Sequence, residues 1–591
     1  MKNHHDARKS GMPRESDDAG GAAVRDIRVV DFAIVGAGTA GCPLAKFLSD
    51  DPNVSVHVGE GGSDTRTDPN VLDTSGGGGA LFTPPFFTSP KYHWLFGANV
   101  APLGLNPGAP PFYLEGRMWG GSSGHNFSLT VRGTPALYGE WATVDPQWSY
   151  EALLPAMRAL ETYTALASGV VNPAERGTDG PLFVTQLPSA SPSDPFFDAL
   201  GAAGVPFSPD YNDPTQGVYV AGVNQLYVTP TTQERSWAAS AFLPPSVVTT
   251  NEDGDGVGVG DRDLFIDSDA VAITLLFEDD FTEEELTAID REHGLTRLTR
   301  NGSCSRSCKR TCPCRNAALN VLGVRYVVED HFVDVLARRK VIACLGGVAD
   351  PALLQFSGIG PADVLEPLGI PVRLDQPNVG RQMQNHYGPL AILPIRPDST
   401  GFQIQAFFPD DSGSGPDGPR GYQGIFAGFN DPASGGAVQA ILADLRPARV
   451  GRVEIVRKGL SEPFITFNFY QDADDVADAL RMLRLVRDIS LAYTGEPPLA
   501  PDPSVYAGGD AALLAYAIAN TTIFNHNSGT CRMAATAADG VVDGDLDVHG
   551  VRGLGIASNS VAPSIEDGNT AWTAYVIGMT KAKIEGARVP F

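Results

Sequence analysis

The sequence predicts an α/β protein in which a Rossmann-like, dinucleotide-binding domain is interleaved with a second, α+β domain. A β-branched apolar run at residues 27–35 passes through a glycine-rich turn into a helical stretch at 42–48, and an alternating run at 54–58 follows. This order is that of a βαβ unit, which belongs to a mostly parallel, doubly wound sheet. Farther on, residues 452–456 and 464–469 alternate like antiparallel strands, and 473–491 repeat with a helical period. These elements predict a second domain built from an antiparallel sheet and helices.

The glycine-rich turn of the first unit has the G-x-G-x-x-G pattern, and Glu60 follows nineteen residues after its last glycine. The three glycines serve a tight turn, close approach of the backbone to a pyrophosphate, and packing of the helix on the strand. An acidic residue at the end of the second strand accepts hydrogen bonds from ribose hydroxyls, which favours FAD or NAD over NADP. The predicted dinucleotide contacts here are Gly36, Gly38, Thr39, Ala40, Gly41 and Glu60.

Size and charge restrict the class of protein further. With 591 residues, 42% of them hydrophobic, the chain can bury a large core in more than one structural unit. Its formal charge of −26 argues against direct binding of nucleic acid or of anionic membranes. The polar residues 1–25 lack the apolar core of a signal peptide and are interpreted as a flexible leader. An uninterrupted apolar run of membrane-spanning length is absent from the sequence, so no membrane span is expected.

The middle of the chain carries further elements of both domains. Residues 74–111 are rich in Gly and Pro and are expected to form a long surface loop that covers a ligand. Residues 149–164 predict one amphipathic helix whose apolar positions belong to the core. The runs at 263–266, 271–277, 321–328 and 340–343 are expected to be strands of the first domain.

An unusual insertion separates two of these strands. Residues 278–320 are first acidic and then rich in cysteine, with Cys304, Cys308, Cys312 and Cys314 inside eleven residues. Zinc sites usually pair C-x2-4-C knuckles across a longer loop, so a four-cysteine metal site would be crowded. Local disulfides and free thiols in a basic loop remain open as alternatives, and no metal ligand is predicted.

The predicted domains are both discontinuous. The cofactor-binding domain is assigned residues 26–150, 230–277, 321–390 and 530–591. The substrate-binding domain is assigned 151–229 and 391–529, with 1–25 as the leader and 278–320 as the cysteine-rich insertion.

Four separated segments resemble one known family. Residues 116–126 read GRMWGGSSGHN, residues 235–243 read RSWAASAFL, residues 357–361 read SGIGP with 378–386 behind them, and the tail contains NHNSGTCRM at 525–533 and DGNT at 567–570. From Gly36 to the C-terminus the chain resembles the glucose-methanol-choline (GMC) flavoprotein oxidoreductases, with these segments in the family's order. The resemblance implies FAD, and it implies that the reaction is oxidation of an alcohol by hydride transfer to flavin N5.

The resemblance also assigns residues around the FAD. Val271 is expected near the adenine, residues 120–126 along the flavin, and Ser558 and Asn559 close to the cofactor. A histidine before the matching Asn is linked covalently to the flavin 8α-methyl in some family members, so His125 is either a covalent attachment point or a packing residue. The additional predicted contacts are Arg117, Gly121, Ser122, His125, Asn126, Val271, Ser558, Asn559 and Thr570.

The catalytic residues are expected in the tail. His526 matches the position that takes or steers the hydroxyl proton, a role suited to a neutral imidazole. Asn569 is the candidate partner that orients the alcohol and the developing alkoxide. The family's usual pattern places the second amide two residues later, where this chain has Ala571. Either Asn569 serves after a shift or the partner is missing.

Other departures from the family point to a changed flavin environment. Ser558 stands where Asp is usual, Asn385 stands where Asp usually precedes His386, and Asp350 replaces a small hydroxyl residue. The first hypothesis is an enzyme that acts on a small-molecule alcohol and passes electrons to O2 or another acceptor. The alternative is a GMC-fold scaffold with reduced or lost catalysis, such as a virus-particle component, in a homo-oligomer or larger assembly. Its motivation is Ser558, Ala571, the insertion at 278–320 and the polar leader. A carbon–carbon lyase is a third hypothesis, and the location stays open between cytoplasm and virion.

Overall fold

The computed structural model describes most of the chain, with gaps in the N-terminal segment and in several loops. The residues it describes are 26–75, 79–99, 112–166, 169, 171–295, 319–399, 401–410, 415, 417–429, 436–448, 451–457 and 463–591. The predicted leader and the four clustered cysteines lie outside these ranges. The predicted domain boundaries stay a prediction.

The strands of the described residues are numbered in chain order. They are β1 (Asp26–Val35), β2 (Val56–Gly59), β3 (His93–Ala98), β4 (Phe112–Gly116), β5 (Glu161–Thr164), β6 (Leu182–Gln186), β7 (Ala221–Val223), β8 (Gln225–Leu226), β9 (Val248–Thr250), β10 (Gly256–Gly258), β11 (Leu264–Asp267), β12 (Val271–Phe277), β13 (Leu319–Val328), β14 (His331–Ala343), β15 (Ile359–Gly360), β16 (Leu374–Asp375), β17 (Tyr387–Leu393), β18 (Phe402–Pro409), β19 (Arg420–Phe429), β20 (Ala437–Asp444), β21 (Arg452–Ile455), β22 (Pro463–Thr466), β23 (Thr521–Ile523), β24 (Val551–Arg552) and β25 (Leu554–Ile556).

The α-helices of the described residues are numbered in the same way. They are α1 (Gly41–Leu48), α2 (Pro69–Leu72), α3 (Pro135–Ala142), α4 (Tyr150–Leu160), α5 (Pro195–Ala202), α6 (Ala238–Phe242), α7 (Glu283–His293), α8 (Gly346–Phe356), α9 (Ala362–Leu365), α10 (Ala473–Thr494), α11 (Pro503–Ala507), α12 (Gly509–Ala519) and α13 (Ala571–Ile584).

The larger sheet has a parallel centre and antiparallel ends. Its order is β12-β13-β14-β1-β2-β11-β10-β9, with β25 beside β14 and β24 beside β13. Strands β14, β1, β2 and β11 run parallel, and β25 runs parallel to β14. Residues 32–35 of β1 are fully buried, with α1 packed on this centre and the Tyr326 hydroxyl of β13 donating to the Ile34 carbonyl at 3.4 Å. The α/β fold with a Rossmann-like sheet is therefore confirmed.

A second, antiparallel sheet stands over the first. Its order is β23-β17-β20-β19-β18-β7, and helices α5 and α10 pack on it around a separate core that includes Phe196, Phe402, Met482 and Val486. The sequence analysis predicted α10 but none of the strands β17 to β20. Strands β21 and β22, which it did predict, pair with β3 and β4 in a four-stranded sheet. Their antiparallel pairing with each other agrees with the alternation in the sequence.

Three predicted elements differ from the structure. The helix predicted at 149–164 ends at Leu160, because residues 161–164 become extended and pair in parallel with β6. The loop predicted at 74–111 contains β3. This strand pairs antiparallel with β4 and parallel with β22, which lies far from it in the sequence. The insertion at 278–320 begins with α7, which has a capping box between Thr282 and Glu285 and ends at Gly294 in the left-handed conformation.

Among the helices of the described residues, none combines the length and the apolar character that crossing a membrane requires.

Candidate functional site

One large cavity gathers the residues singled out in the sequence. Its volume is about 1940 Å³, about twice the upper end of the range usual for small-molecule sites. It therefore has room for a dinucleotide and a second small molecule. The predicted site residues that line it are Gly36, Gly38, Thr39, Ala40, Glu60, Arg117, Gly121, Ser122, His125, Asn126, Val271, His526, Ser558, Asn559, Asn569 and Thr570. Gly41 is the one predicted site residue that does not line it.

The three fingerprint glycines have three different reasons to be glycine. Gly36 has φ +100°, and a Cβ there would lie 2.9 Å from the Cys344 carbonyl oxygen. A Cβ on Gly41 would overlap the carbonyl of Gly36, so this residue allows α1 to pack against the turn. At Gly38 a Cβ would meet, among described residues, the Cys344 oxygen at 3.5 Å, an ordinary contact. The protein's own packing therefore permits a side chain at Gly38, and its bare backbone suits a ligand that approaches closely from the cavity.

Glu60 is held in place by the turn that it faces. Its two carboxylate oxygens accept hydrogen bonds from the backbone N–H groups of Ala37 and Gly62, each at 2.8 Å. Burial raises the pKa of Glu60 to about 7. Each oxygen retains a second lone pair, and the side chain lines the cavity, so Glu60 can accept hydrogen bonds from ribose hydroxyls.

The first signature segment lies directly on the fingerprint turn. Gly120 N–H donates to the Ala37 carbonyl at 2.7 Å. Gly121 has φ +53°, and a Cβ there would lie 2.9 Å from the Cα of Gly38. This close backbone contact places residues 121–126 along the cavity beside the turn, as a cofactor that extends from one to the other requires.

Arg117 lines the cavity wall, but its hydrogen bonds run to the protein. The guanidinium donates to the carbonyl oxygens of Gly61 and Pro90 and to Asp269, at 2.7, 3.0 and 3.3 Å. It also lies over the ring of Trp94, with 4.8 Å between its Cζ and the ring centroid. In this arrangement Arg117 fixes the loop after Glu60.

His125 and Asn126 are fixed by the segment at 235–243. Arg235 donates to both the carbonyl and the side-chain oxygen of Asn126, at 2.8 and 2.9 Å. The ring of His125 is buried, with its centroid 5.2 Å from that of His93. Burial, the neighbouring His93 and Arg235 together hold the pKa of His125 well below its ordinary value, so its imidazole is neutral.

Two of the departures from the family pattern compensate each other. The Asp350 carboxylate accepts hydrogen bonds from the hydroxyls of Ser558 and Ser560 at 2.6 and 2.8 Å, and from Leu345 N–H at 2.8 Å. Burial raises the pKa of Asp350 to about 6. Relative to the family pattern, the carboxylate is at position 350 and the hydroxyl at position 558, and the two meet in one buried contact. The Ser558 hydroxyl therefore has the buried Asp350 carboxylate as its partner.

His526 is placed by pairing of the tail with the segment before β17. Gln384 and Ser528 exchange backbone hydrogen bonds of 2.9 and 3.0 Å, and Phe524 N–H donates to the His386 carbonyl at 3.1 Å. His526 N–H donates to the Asn385 side-chain oxygen at 2.9 Å. Desolvation lowers the pKa of His526 to about 3, so the ring facing the cavity is a neutral base.

A second histidine touches the first. The Nδ1 atoms of His386 and His526 are 2.8 Å apart, with the two ring planes at 89°. His386 is completely buried, and burial together with His526 keeps its pKa well below the ordinary value. No role was predicted for His386, because its 140-residue separation from His526 gives no signal in the sequence that the two meet.

Asn569 also lines the cavity, and its side chain is oriented by a neighbour. Gln423 donates from Nε2 to the Asn569 side-chain oxygen at 3.0 Å and to the Gln405 oxygen at 2.5 Å. With its oxygen engaged, Asn569 has its NH2 group as the donor for a ligand. Ala571, which occupies the family's usual amide position, lines the same cavity at the start of α13.

The six-stranded sheet supplies an uncharged wall to the cavity. The residues of that sheet that face the cavity, within the described ranges, are Leu390, Gln403, Ile425, Phe426, Ala427, Gln439, Ile441, Thr522 and Ile523. Amide and hydroxyl groups on an apolar surface suit a neutral ligand that makes a few hydrogen bonds. None of these residues was predicted, because their strands were not.

Comparison with known proteins adds independent findings. Two GMC oxidoreductase family models match the chain, one over residues 30–253 and 310–388 and the other over 447–578. The chain is 26% identical to an alcohol dehydrogenase [acceptor] of Pseudomonas putida, over 94% of this chain and 95% of that one. It is 28% identical to an oxygen-dependent choline dehydrogenase of Burkholderia mallei, over 92% and 91%. Its fold resembles that of pyridoxine 4-oxidase from Mesorbium loti, with a TM-score of 0.71, 24% identity and coverage of 94% and 98%.

Proposed function

The chain belongs to the GMC oxidoreductase family of FAD-dependent enzymes, and from that premise we propose that it oxidises a neutral alcohol with His526 as the general base. The protein is an FAD-dependent oxidoreductase, as the sequence predicted. The observation that supports the proposed role is the neutral ring of His526 at the wall of a cavity that also contains the FAD fingerprint.

The proposed chemistry removes two hydrogens from the alcohol. His526 takes the hydroxyl proton, and the donor group of Asn569 stabilises the negative charge that develops on the oxygen. FAD, when bound, accepts the hydride from the alcohol carbon. The N-terminus of α13 lies at the same wall, and its dipole favours negative charge on that side of the cavity. Loss of the proton and the hydride would convert the alcohol into a carbonyl compound, and the two electrons would go on to O2 or another acceptor.

The substrate class follows from the uncharged wall. The cavity-lining residues of the six-stranded sheet include no carboxylate among the described positions, and the acidic residues that line the cavity lie on other segments: Glu60, Asp73, Glu115, Glu234, Asp269 and Glu329. A cationic group placed against this sheet would therefore be unbalanced there, which is costly. We therefore propose neutral alcohols, although choline dehydrogenases are among the relatives. Two observations argue against the scaffold alternative. The Ser558 hydroxyl is bonded to Asp350, and Asn569 lines the cavity although Ala571 occupies the usual amide position.

The test is anaerobic reduction of the bound FAD by a panel of alcohols, followed by absorbance. We expect His526→Ala to slow reduction by about 10²- to 10⁴-fold and Asn569→Ala by about 10²-fold. His331→Asn changes an exposed histidine and serves as the matched control. Unchanged reduction in both site variants would refute the proposed roles. Repeating turnover in air with peroxide detection, and without air with a dye, distinguishes the acceptors.

We also propose that FAD is attached to His125. A bond to the flavin 8α-methyl requires an unprotonated imidazole at the cavity wall, and His125 satisfies both conditions. Denaturing and precipitating the protein should leave flavin absorbance with the polypeptide, and His125→Ala should release it. Flavin recovered wholly in the supernatant of the unmodified protein would exclude the link.

A further inference from the structure

We propose that His386 is a positioning residue that holds His526 with its proton on Nδ1 and its Nε2 bare toward the alcohol. The inference rests on the proposed function of His526. It adds a second histidine to the machinery and specifies which nitrogen of His526 reacts.

Backbone pairing on both sides brings the two rings together. Residues 384 and 528 form an antiparallel bridge with two hydrogen bonds. Beyond the histidines, Tyr387 pairs with Ile523, so both rings lie on the short stretch between two paired positions of the same two segments. The Nδ1–Nδ1 separation of 2.8 Å is that of a hydrogen bond.

Two neutral rings joined through Nδ1 share one proton, so one ring donates and the other accepts. His386 is fully enclosed, and its Nε2 makes no hydrogen bond of ordinary geometry within the described residues. The contact uses Nδ1 of both rings, so a base role for His526 requires its hydrogen on Nδ1 and leaves Nε2 as the bare nitrogen. His386 then accepts through Nδ1 and carries its own hydrogen on the enclosed Nε2.

This assignment decides what His526 can do. With hydrogen on Nδ1, the other nitrogen is an unprotonated base. When the alcohol O–H bond breaks, the proton forms a new N–H bond at Nε2 of His526, and Nδ1–H stays on the ring. The resulting imidazolium donates to His386, which strengthens that hydrogen bond as charge appears. In the opposite tautomer Nε2 would carry hydrogen and could only donate to the substrate.

A neutral acceptor has a specific advantage over a carboxylate here. A carboxylate beside His526 would favour the protonated ring before substrate arrives. His386 leaves the resting ring neutral and supports the charge only once the proton has moved. The pair thus resembles the base and orienting group of a catalytic triad, with imidazole in place of the acid.

Two substitutions separate this role from simple packing. His386→Leu fills the space without an acceptor, whereas His386→Asn can place its side-chain oxygen near the former Nδ1. We expect His386→Leu to lower kcat by about 100-fold with KM and FAD content little changed. The kcat of His386→Asn should be at least tenfold higher than that of His386→Leu. Equal activity of the two variants, or a change in KM alone, would overturn the proposal.

Nitrogen NMR of protein labelled with 15N-histidine tests the tautomer without turnover and without either variant. We expect the His526 signals, identified by their loss in His526→Gln, to show a protonated Nδ1 and a bare Nε2. The reverse pattern would overturn the proposal even if the His386 variants fail to fold. The proposed function fails separately, if His526→Ala leaves FAD reduction unchanged. If His526→Ala abolishes reduction but His386→Leu does not affect it, the inference about His386 alone fails.

Discussion

At the residue scale, protonation decides whether the site can work at neutral pH. Histidine in water has a pKa of about 6.5, so a fraction of such rings is protonated near neutral pH and cannot act as a base. Desolvation in this fold lowers the pKa of His526 to about 3. The neutral form is therefore present at every pH above that value, and it is lost only as the pH falls toward about 3.

A pH profile follows from this. We expect kcat/KM for a neutral alcohol to show no acid limb near pH 6.5 that belongs to His526, because the ring stays unprotonated there. The measurement is steady-state kinetics with a saturating electron acceptor across the acid range. An acid limb with an apparent pKa of about 6.5 would show that the ring is not desolvated in the working enzyme.

The Asp350 and Ser558 exchange predicts a second residue-scale result. Ser558→Asp places a carboxylate against the buried Asp350, so we expect a loss of about 3 kcal/mol in stability and weaker retention of FAD. Adding Asp350→Ser removes one of the two carboxylates and should restore most of the loss. Thermal unfolding and FAD content of the single and double variants measure this coupling. Additive effects would mean that the two positions do not compensate.

At the element scale, the last helix closes the cofactor turn. Helix α13 packs on α1, and Gly578 lies so close to the Ala40 carbonyl that a Cβ would overlap it. The helix therefore places Thr570 and Ala571 at the cavity from behind the fingerprint. Elements some 530 residues apart in sequence form one wall in this way.

This contact can be tested with one methyl group. We expect Gly578→Ala to cost about 1–3 kcal/mol through overpacking and to weaken FAD binding. Gly139 in α3 is a matched helical glycine with open space around its Cβ position, so Gly139→Ala should be neutral or stabilising by about 0.5–1 kcal/mol. Melting temperatures and FAD retention provide the comparison. Equal effects of the two substitutions would show that α13 does not press on the turn.

At the scale of the whole molecule, the two sheets contribute different parts of the cavity. The parallel sheet carries the fingerprint, and the antiparallel sheet supplies the uncharged wall near which a substrate would lie. The fold is shared with relatives, so the substrate preference that we propose rests on the side chains of the wall and not on the fold.

The uncharged wall predicts a substrate preference. Among alcohols of similar size, neutral ones should reduce the FAD with a higher kcat/KM than choline does. Gln439→Glu places a carboxylate on the wall and should narrow or reverse this preference, with Thr249→Ala on a distant exposed strand as the control. The measurement is kcat/KM for matched neutral and cationic alcohols. Choline as the best substrate of the unmodified protein would contradict the proposal.

Features that depend on local pattern could be predicted from the order of the residues alone. The G-x-G-x-x-G turn, its flanking strand and helix, and Glu60 follow from neighbours in the chain, and so do the family signatures that identify FAD. Helix α10 was predictable for the same reason, since its period is contained in one segment. The Cys304 to Cys314 group stays a prediction, because it lies outside the described residues.

Contacts between residues far apart in the chain became visible only in the folded protein. His386 and His526, Asp350 and Ser558, and Gln423 and Asn569 are separated by 140, 208 and 146 residues. Strands β17 to β20 likewise depend on partners along the sheet, and β5 replaced the end of a predicted helix for that reason. Hydrogen bonds and charges act between neighbours in space, so a pattern along one chain cannot specify them. The folded chain specifies them, because strand register and close backbone contacts fix each side chain against its partner.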